Sequence, residues 1–166
     1  MKSNLYSWVG VVAFSGVLAY GATTLARADE YYRPVSQGDA VTHEECSACH
    51  LAYSPEMLPA ASWRKLMSDL ENHFGEDASL DAETNQHITK FLTQNAADSG
   101  WVNNRFMRGL DLSRNIPIRI TETPYWRREH REEELREHAW RRQPVKSNSD
   151  CVACHRDAAR GGYDDD

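Results

Sequence analysis

Apolar residues are spread unevenly along this chain, and the way they are spaced changes from one segment to the next. Residues 8–20 are almost wholly apolar or small and follow a short positive start at Lys2. Beyond residue 28 the apolar positions become sparse and periodic. Trp63, Leu66, Met67, Leu70, His73 and Phe74 recur at intervals of three and four, the spacing of one helix face. That spacing predicts a helix over 63–74, with Ser62 as N-cap and Gly75 as its stop. A second helix is predicted from Asp81, with Ile88, Phe91 and Leu92 on its apolar side. Residues 29–42 read as an irregular lead-in and 95–115 as turn-rich. Residues 116–120 are a short β-branched stretch interrupted by Pro117. Thr123 then Pro124 pairs an N-cap with proline at the first helical position and opens a strongly charged helix, which ends near Gln143 and Pro144. A last helix is predicted from about residue 151, with a frayed tail after Gly161 and Gly162. No stretch is long enough to build a sheet. The fold class is all-α with extensive loops.

The apolar start has the form of a leader. Ala26-Arg27-Ala28 places small residues where a signal peptidase needs them, so cleavage is expected before Asp29, with residues 1–28 as signal peptide. The apolar run is short for a membrane span. The expected location is therefore periplasmic. Of the 166 residues, 138 remain after cleavage, enough for one compact domain or two small lobes. The leader carries Lys2 and Arg27 and no acid, so its loss takes the net charge from −6 to −8. That acidic balance argues against nucleic acid and anionic lipid as partners.

All four cysteines fall in two copies of one pentapeptide, Cys46-Ser47-Ala48-Cys49-His50 and Cys151-Val152-Ala153-Cys154-His155. Cys-x-x-Cys-His is the attachment motif of a c-type heme. Residues three and four apart share a helical face, so both thiols reach the vinyl groups of one porphyrin. The histidine that follows then points at the iron as proximal ligand. Two motifs imply two covalently attached heme c groups and leave no cysteine for a disulfide. A zinc site is the competing reading, but paired zinc knuckles lie closer together than these and leave both histidines unexplained. A thioredoxin-like redox pair would need a strand-helix unit, which neither flank supplies. Two porphyrins also supply apolar mass that a chain of negative mean hydropathy lacks.

Function turns on the sixth ligand of each iron. For the first, His73 lies on the apolar stripe, where an imidazole needs a partner. His87 and Met57 compete with it. For the second, His130 follows Trp126 by one turn, and His138 on the same charged segment is its rival. His43 and Met107 are weaker candidates, a methionine ligand being one that raises potential.

Several segments resemble the dihaem cytochrome c family of bacterial electron carriers. They are residues 45–53 around the first motif, Leu58-Pro59-Ala60, and residues 70–76 around His73. Residues 119–126 with His130, and 151–156, complete the resemblance, which spans about residues 46–162. It implies a small two-lobed c-type cytochrome with one covalent heme per lobe, first lobe 29–100 and second lobe 101–166, packed together. It implies thioethers at Cys46, Cys49, Cys151 and Cys154, with His50 and His73 on the first iron and His155 and His130 on the second. The match is weakest over residues 132–142, which keeps His138 open.

An iron with two strong protein ligands has no position for substrate, so the expected role is electron relay and not catalysis. The resemblance implies a membrane cytochrome b as donor and a small oxygen-binding cytochrome c or terminal reductase as acceptor. The alternatives are a diheme peroxidase-like enzyme or gas-binding heme protein with one open iron, and the diheme small subunit of a periplasmic reductase. A peroxidase needs an open iron with acid-base groups beside it, and no such set is evident.

Overall fold

The computed structural model describes residues 31–100, 104–131 and 147–164. The leader, His138 and most of the charged segment after Glu129 lie outside the described residues. Among the described residues there is no strand, and the only bridges are isolated pairs, Tyr31 with Gly162 and His73 with Glu76. Among them, too, no helix is long and apolar enough to cross a membrane.

Helix α1 (Ala40–Ser47) starts where the Asp39 carboxylate accepts the Thr42 N–H at 2.7 Å, the N-cap bond that satisfies an orphan donor. Its last turn carries Cys46. Few apolar side chains hold this helix. A tie from His87 on another helix, Nε2 to Asp39 Oδ2 at 2.8 Å, fixes its N-terminus instead.

Helix α2 (Ala60–Met67) begins earlier and stops sooner than the apolar periodicity predicts. Ser62 lies inside it, fully buried, and the missing cap comes from afar: Asp98 accepts the Ala60 N–H at 2.7 Å. Past Met67, Ser68 Oγ donates back to the Lys65 carbonyl at 2.8 Å, and Asp69 leaves helical backbone. Such short side-chain bonds compete with helix continuation. Leu70–Asn72 is a 3-10 turn, and His73 lies in the reversal after it, not on a helix.

Helix α3 (Ala82–Gln94) opens as predicted, with the Asp81 carboxylate accepting from Glu83 and Thr84. It packs Ile88 and Leu92 against Trp63 and Met67 of α2, with Leu58 and Ala96 completing the group. Burying Ile88 and Leu92 contributes about 1.5–3 kcal/mol each. The Trp63 indole N–H, buried with its ring, donates to the Pro55 carbonyl at 2.8 Å.

A second apolar group joins distant segments: Tyr32, Met57, Ala97, Phe106 and Tyr125. Phe106 meets Tyr32 and Tyr125 edge to face at 5.5 and 4.9 Å, a favoured aromatic arrangement. Tyr125 belongs to helix α4 (Pro124–Glu129), capped by buried Thr123, whose Oγ1 accepts from Trp126 N–H and donates to the Ile120 carbonyl. Ile120 packs at the edge of both apolar groups, so they are continuous. The predicted last helix is instead two 3-10 turns, Cys151–Ala153 and Ala158–Arg160. Left-handed Gly161 ends the second turn, and its carbonyl takes the Tyr32 N–H at 2.9 Å, closing the two ends of the described chain on each other.

Candidate heme sites

The first motif straddles the end of α1. Cys46 is half-buried on its last turn, and Cys49 and His50 follow on exposed backbone that has left the helix. His50 Nδ1 meets the Leu51 carbonyl at 2.8 Å. A carbonyl only accepts, so this bond puts the proton on Nδ1 and leaves the Nε2 lone pair for a metal.

His73 faces His50 from the reversal that follows α2. His73 and Glu76 exchange both backbone hydrogen bonds, at 2.9 and 3.2 Å, around Phe74 and Gly75 at φ +55 and +104. Left-handed backbone at both central positions is the geometry of a tight hairpin turn, where asparagine and glycine are favoured. Phenylalanine there costs about 1–2 kcal/mol, and its ring is held on both sides. It lies 4.9 Å from the His73 ring, with the Arg119 guanidinium 4.1 Å above it. Leu66, Phe74 and Ile118 give apolar walls to a groove beside His73. His73 Nδ1 is buried with no hydrogen-bond partner. Burial first, then the His50 imidazole, hold its pKa below the ordinary value, which favours the neutral form that ligates metal.

The second site repeats the plan with different parts. His130 terminates α4, and its Nδ1 meets the Trp126 carbonyl at 3.0 Å. The Trp126 ring stacks on it at 4.4 Å, the planes 6° apart. His155, after the second motif, sets Nδ1 toward the Asp164 carbonyl at 3.3 Å, with Tyr163 at 5.5 Å.

The spacing of each imidazole pair is close to that of two imidazoles on one metal. Two imidazoles on one metal, each with a metal–nitrogen bond of about 2 Å and that nitrogen about 1 Å from its ring centre, hold their centres about 6 Å apart. His50 and His73 are 6.1 Å apart with planes 16° from parallel. His130 and His155 are 5.8 Å apart with planes at 76°. The donor set fits the sulfurs as well. Burial, with Glu45 adding to it, pushes the Cys46 thiol up to about 11, and burial with Asp150 does the same for Cys151. These places favour uncharged sulfur, as in a thioether. Among the described residues no three His, Cys, Asp or Glu side chains cluster to hold a metal ion between them.

The rivals are placed elsewhere. His87 pairs with Asp39, Met57 is buried in the second apolar group, Met107 lies at that group's edge, and His43 is on the exposed side of α1. His138 is outside the described residues. Two contacts escaped the sequence reading. Phe74 and Arg119 brace His73, and no periodicity marks a turn of that kind. Tyr53 stacks on His50 at 5.1 Å, and its hydroxyl donates to the Ser149 carbonyl at 2.6 Å. Burial chiefly pushes the Tyr53 phenol up to about 12, so it is a neutral donor.

Comparison with known proteins identifies a family. The sequence profile of the family described as dihaem cytochrome c matches residues 42–163. A diheme cytochrome c from Rhodobacter sphaeroides is 46% identical over 75% of this chain and 96% of its own, with a TM-score of 0.66. A diheme c-type cytochrome from Shewanella baltica is 34% identical over 76% of this chain and 88% of its own, with a TM-score of 0.59. A search of curated proteins finds no match.

Proposed function

This chain belongs to the dihaem cytochrome c family, and from that premise we propose that it relays single electrons between exported redox partners through two bis-histidine hemes. That it carries two heme c groups and serves electron transfer comes with the family; the ligands, the partners and the absence of catalysis are this proposal. Cys46 and Cys49 would tether the first group, with His50 and His73 as the residues that would hold its iron. Cys151 and Cys154 would tether the second, with His155 and His130.

The observation that carries the reading is the facing of two imidazole pairs at 6.1 and 5.8 Å. Heme c supplies a one-electron iron couple, and the chain's residues set its surroundings. His50 and His130 keep their Nδ1 protons on the Leu51 and Trp126 carbonyls, which holds ring orientation through a change of oxidation state. Trp126 and the braced Phe74 resist ring rotation from outside. Ligation by two imidazoles lacks the potential-raising effect of methionine, so both couples are low. With two imidazoles on each, neither iron would keep a position for substrate, so the proposal includes no catalysis at iron. The leader at residues 1–28 supports a periplasmic location. The donor is a membrane cytochrome b, and the acceptor a small oxygen-binding cytochrome c or a terminal reductase.

Carbon monoxide added to the fully reduced protein tests the reading. The spectrum stays unchanged if both irons are closed. A complex with carbon monoxide at either heme replaces the relay with a peroxidase-like or gas-binding role.

A further inference from the structure

Tyr53 touches the histidine of the first heme motif and the backbone just ahead of the second, although nothing in its position in the chain requires it to. Its ring stacks on the His50 imidazole, 5.1 Å between centres and 25° between planes. Its hydroxyl donates at 2.6 Å to the carbonyl of Ser149, 96 residues away in sequence and two before Cys151. The same ring packs at the margin of the second apolar group, with Trp126 and Tyr163, the aromatics beside the second histidine pair. A tyrosine that only filled space would not need this bond. An exposed hydrogen bond of its kind adds about 1 kcal/mol, while its placement joins the proximal ring of one site to the backbone carrying the tether of the other.

We propose that Tyr53 is a positioning residue for electron exchange between the two sites: its ring holds the plane of His50, and its hydroxyl couples that ring to the segment bearing Cys151. The proposal rests on the relay reading above. In the exchange one iron is oxidised by one electron as the other is reduced by one, and Tyr53 keeps its electrons and its proton.

The near-parallel planes of Tyr53, His50 and His73 give the ring half of the argument, since His73 is 16° from His50. Replacing Tyr53 by phenylalanine keeps the stack and deletes the bond to Ser149, whereas leucine deletes both. The two substitutions therefore separate the roles.

The test uses the mature diheme protein. One-electron pulse reduction of the oxidised form, followed by absorbance and by paramagnetic resonance of frozen samples, reads the rate at which the electron redistributes between the sites. Tyr53→Phe is expected to leave both resonance signals in place and to slow redistribution several-fold. Tyr53→Leu is expected in addition to move or broaden the signal of the near-parallel pair and to spare the other. Redistribution at the wild-type rate in Tyr53→Phe overturns the proposal, even where the melting temperature falls, because a tie that is merely structural gives that outcome. An unmoved near-parallel signal in Tyr53→Leu overturns the ring's part. Failure of the relay reading is distinct: it shows in the unsubstituted protein, as a high-spin iron or a carbon monoxide complex.

Discussion

Gly161→Ala is the substitution at which a single methyl group meets backbone from the other end of the chain. Gly161 sits at φ +93, and a Cβ built there lies 2.1 Å from the Tyr32 carbonyl oxygen and 3.0 Å from the Tyr31 ring. No side-chain rotation relieves a contact with a carbonyl, so Tyr32 must withdraw. That breaks the 2.9 Å bond from Tyr32 N–H to the Gly161 carbonyl and drags the Tyr32 ring from Phe106 and Tyr163. Left-handed backbone costs alanine about 1–2 kcal/mol. The hydrogen bond adds about 1 kcal/mol, and a loosened aromatic pair about 0.5–1.5 kcal/mol. The expected loss is therefore about 2.5–4.5 kcal/mol, a large share of the roughly 5–15 kcal/mol that holds a typical domain. Gly75→Ala is the control, because Gly75 is also left-handed, at φ +104, yet has nothing within 4 Å of the added carbon. It should lose only the conformational part, about 1–2 kcal/mol. Thermal melts of the two mature variants by circular dichroism read the difference, at about 3–5 °C per kcal/mol for a chain of this size. Equal losses, or a smaller one at Gly161, would refute the claim that the two ends of the described chain close through that contact.

Other residues give sharper tests of the sites. His73→Ala and His130→Ala should each turn one heme high-spin and able to bind carbon monoxide. His87→Ala should leave both spectra unchanged and cost under about 1 kcal/mol, as half-exposed ion pairs do, which absorption spectra and melts of the same samples check. Thr123→Ala removes a buried hydroxyl that caps α4 and bonds the Ile120 carbonyl; a loss of about 1–2 kcal/mol is expected, with the second heme's spectrum broadening first on heating. Asp39 responds to acid. Burial raises its carboxyl, but the bonds from Thr42 and the His87 partner outweigh that and hold it below the usual value of 3.8. A depressed folded pKa means the stabilisation is whole above the unfolded value and fades as pH falls through the folded one. The native protein should therefore lose this share of stability below about pH 4, and the stability of Asp39→Asn should fall less steeply over that range in acid titration followed by circular dichroism.

What the sequence disclosed and what it hid divide along physical lines. The heme motifs were legible because thioether chemistry fixes residue type and spacing together. Asp81 and Thr123 announced their helices because a cap bond is local, reaching two or three residues. The end of α2 was hidden because the apolar stripe continues past Met67, where Trp63 and Met67 still anchor the helix but Ser68 and Asp69 have turned the backbone away. His73 was thus selected for a stripe that holds its neighbours, and it faces His50 from a strained turn instead. The Ala60 cap from Asp98, the closure of Tyr32 on Gly161 and the reach of Tyr53 to Ser149 join residues 38 to 129 positions apart. No local pattern encodes such contacts. The last helix failed for want of apolar residues after Cys154, which leaves two 3-10 turns.

Electron paramagnetic resonance of the oxidised protein at low temperature bears most directly on the central claim, that each iron is held between two imidazoles. Two low-spin ferric signals of equal weight are expected: a rhombic one from the near-parallel pair at 16°, and one with a single large g-value from the near-perpendicular pair at 76°. A high-spin signal from either site, or the intensity of one heme in place of two, contradicts it.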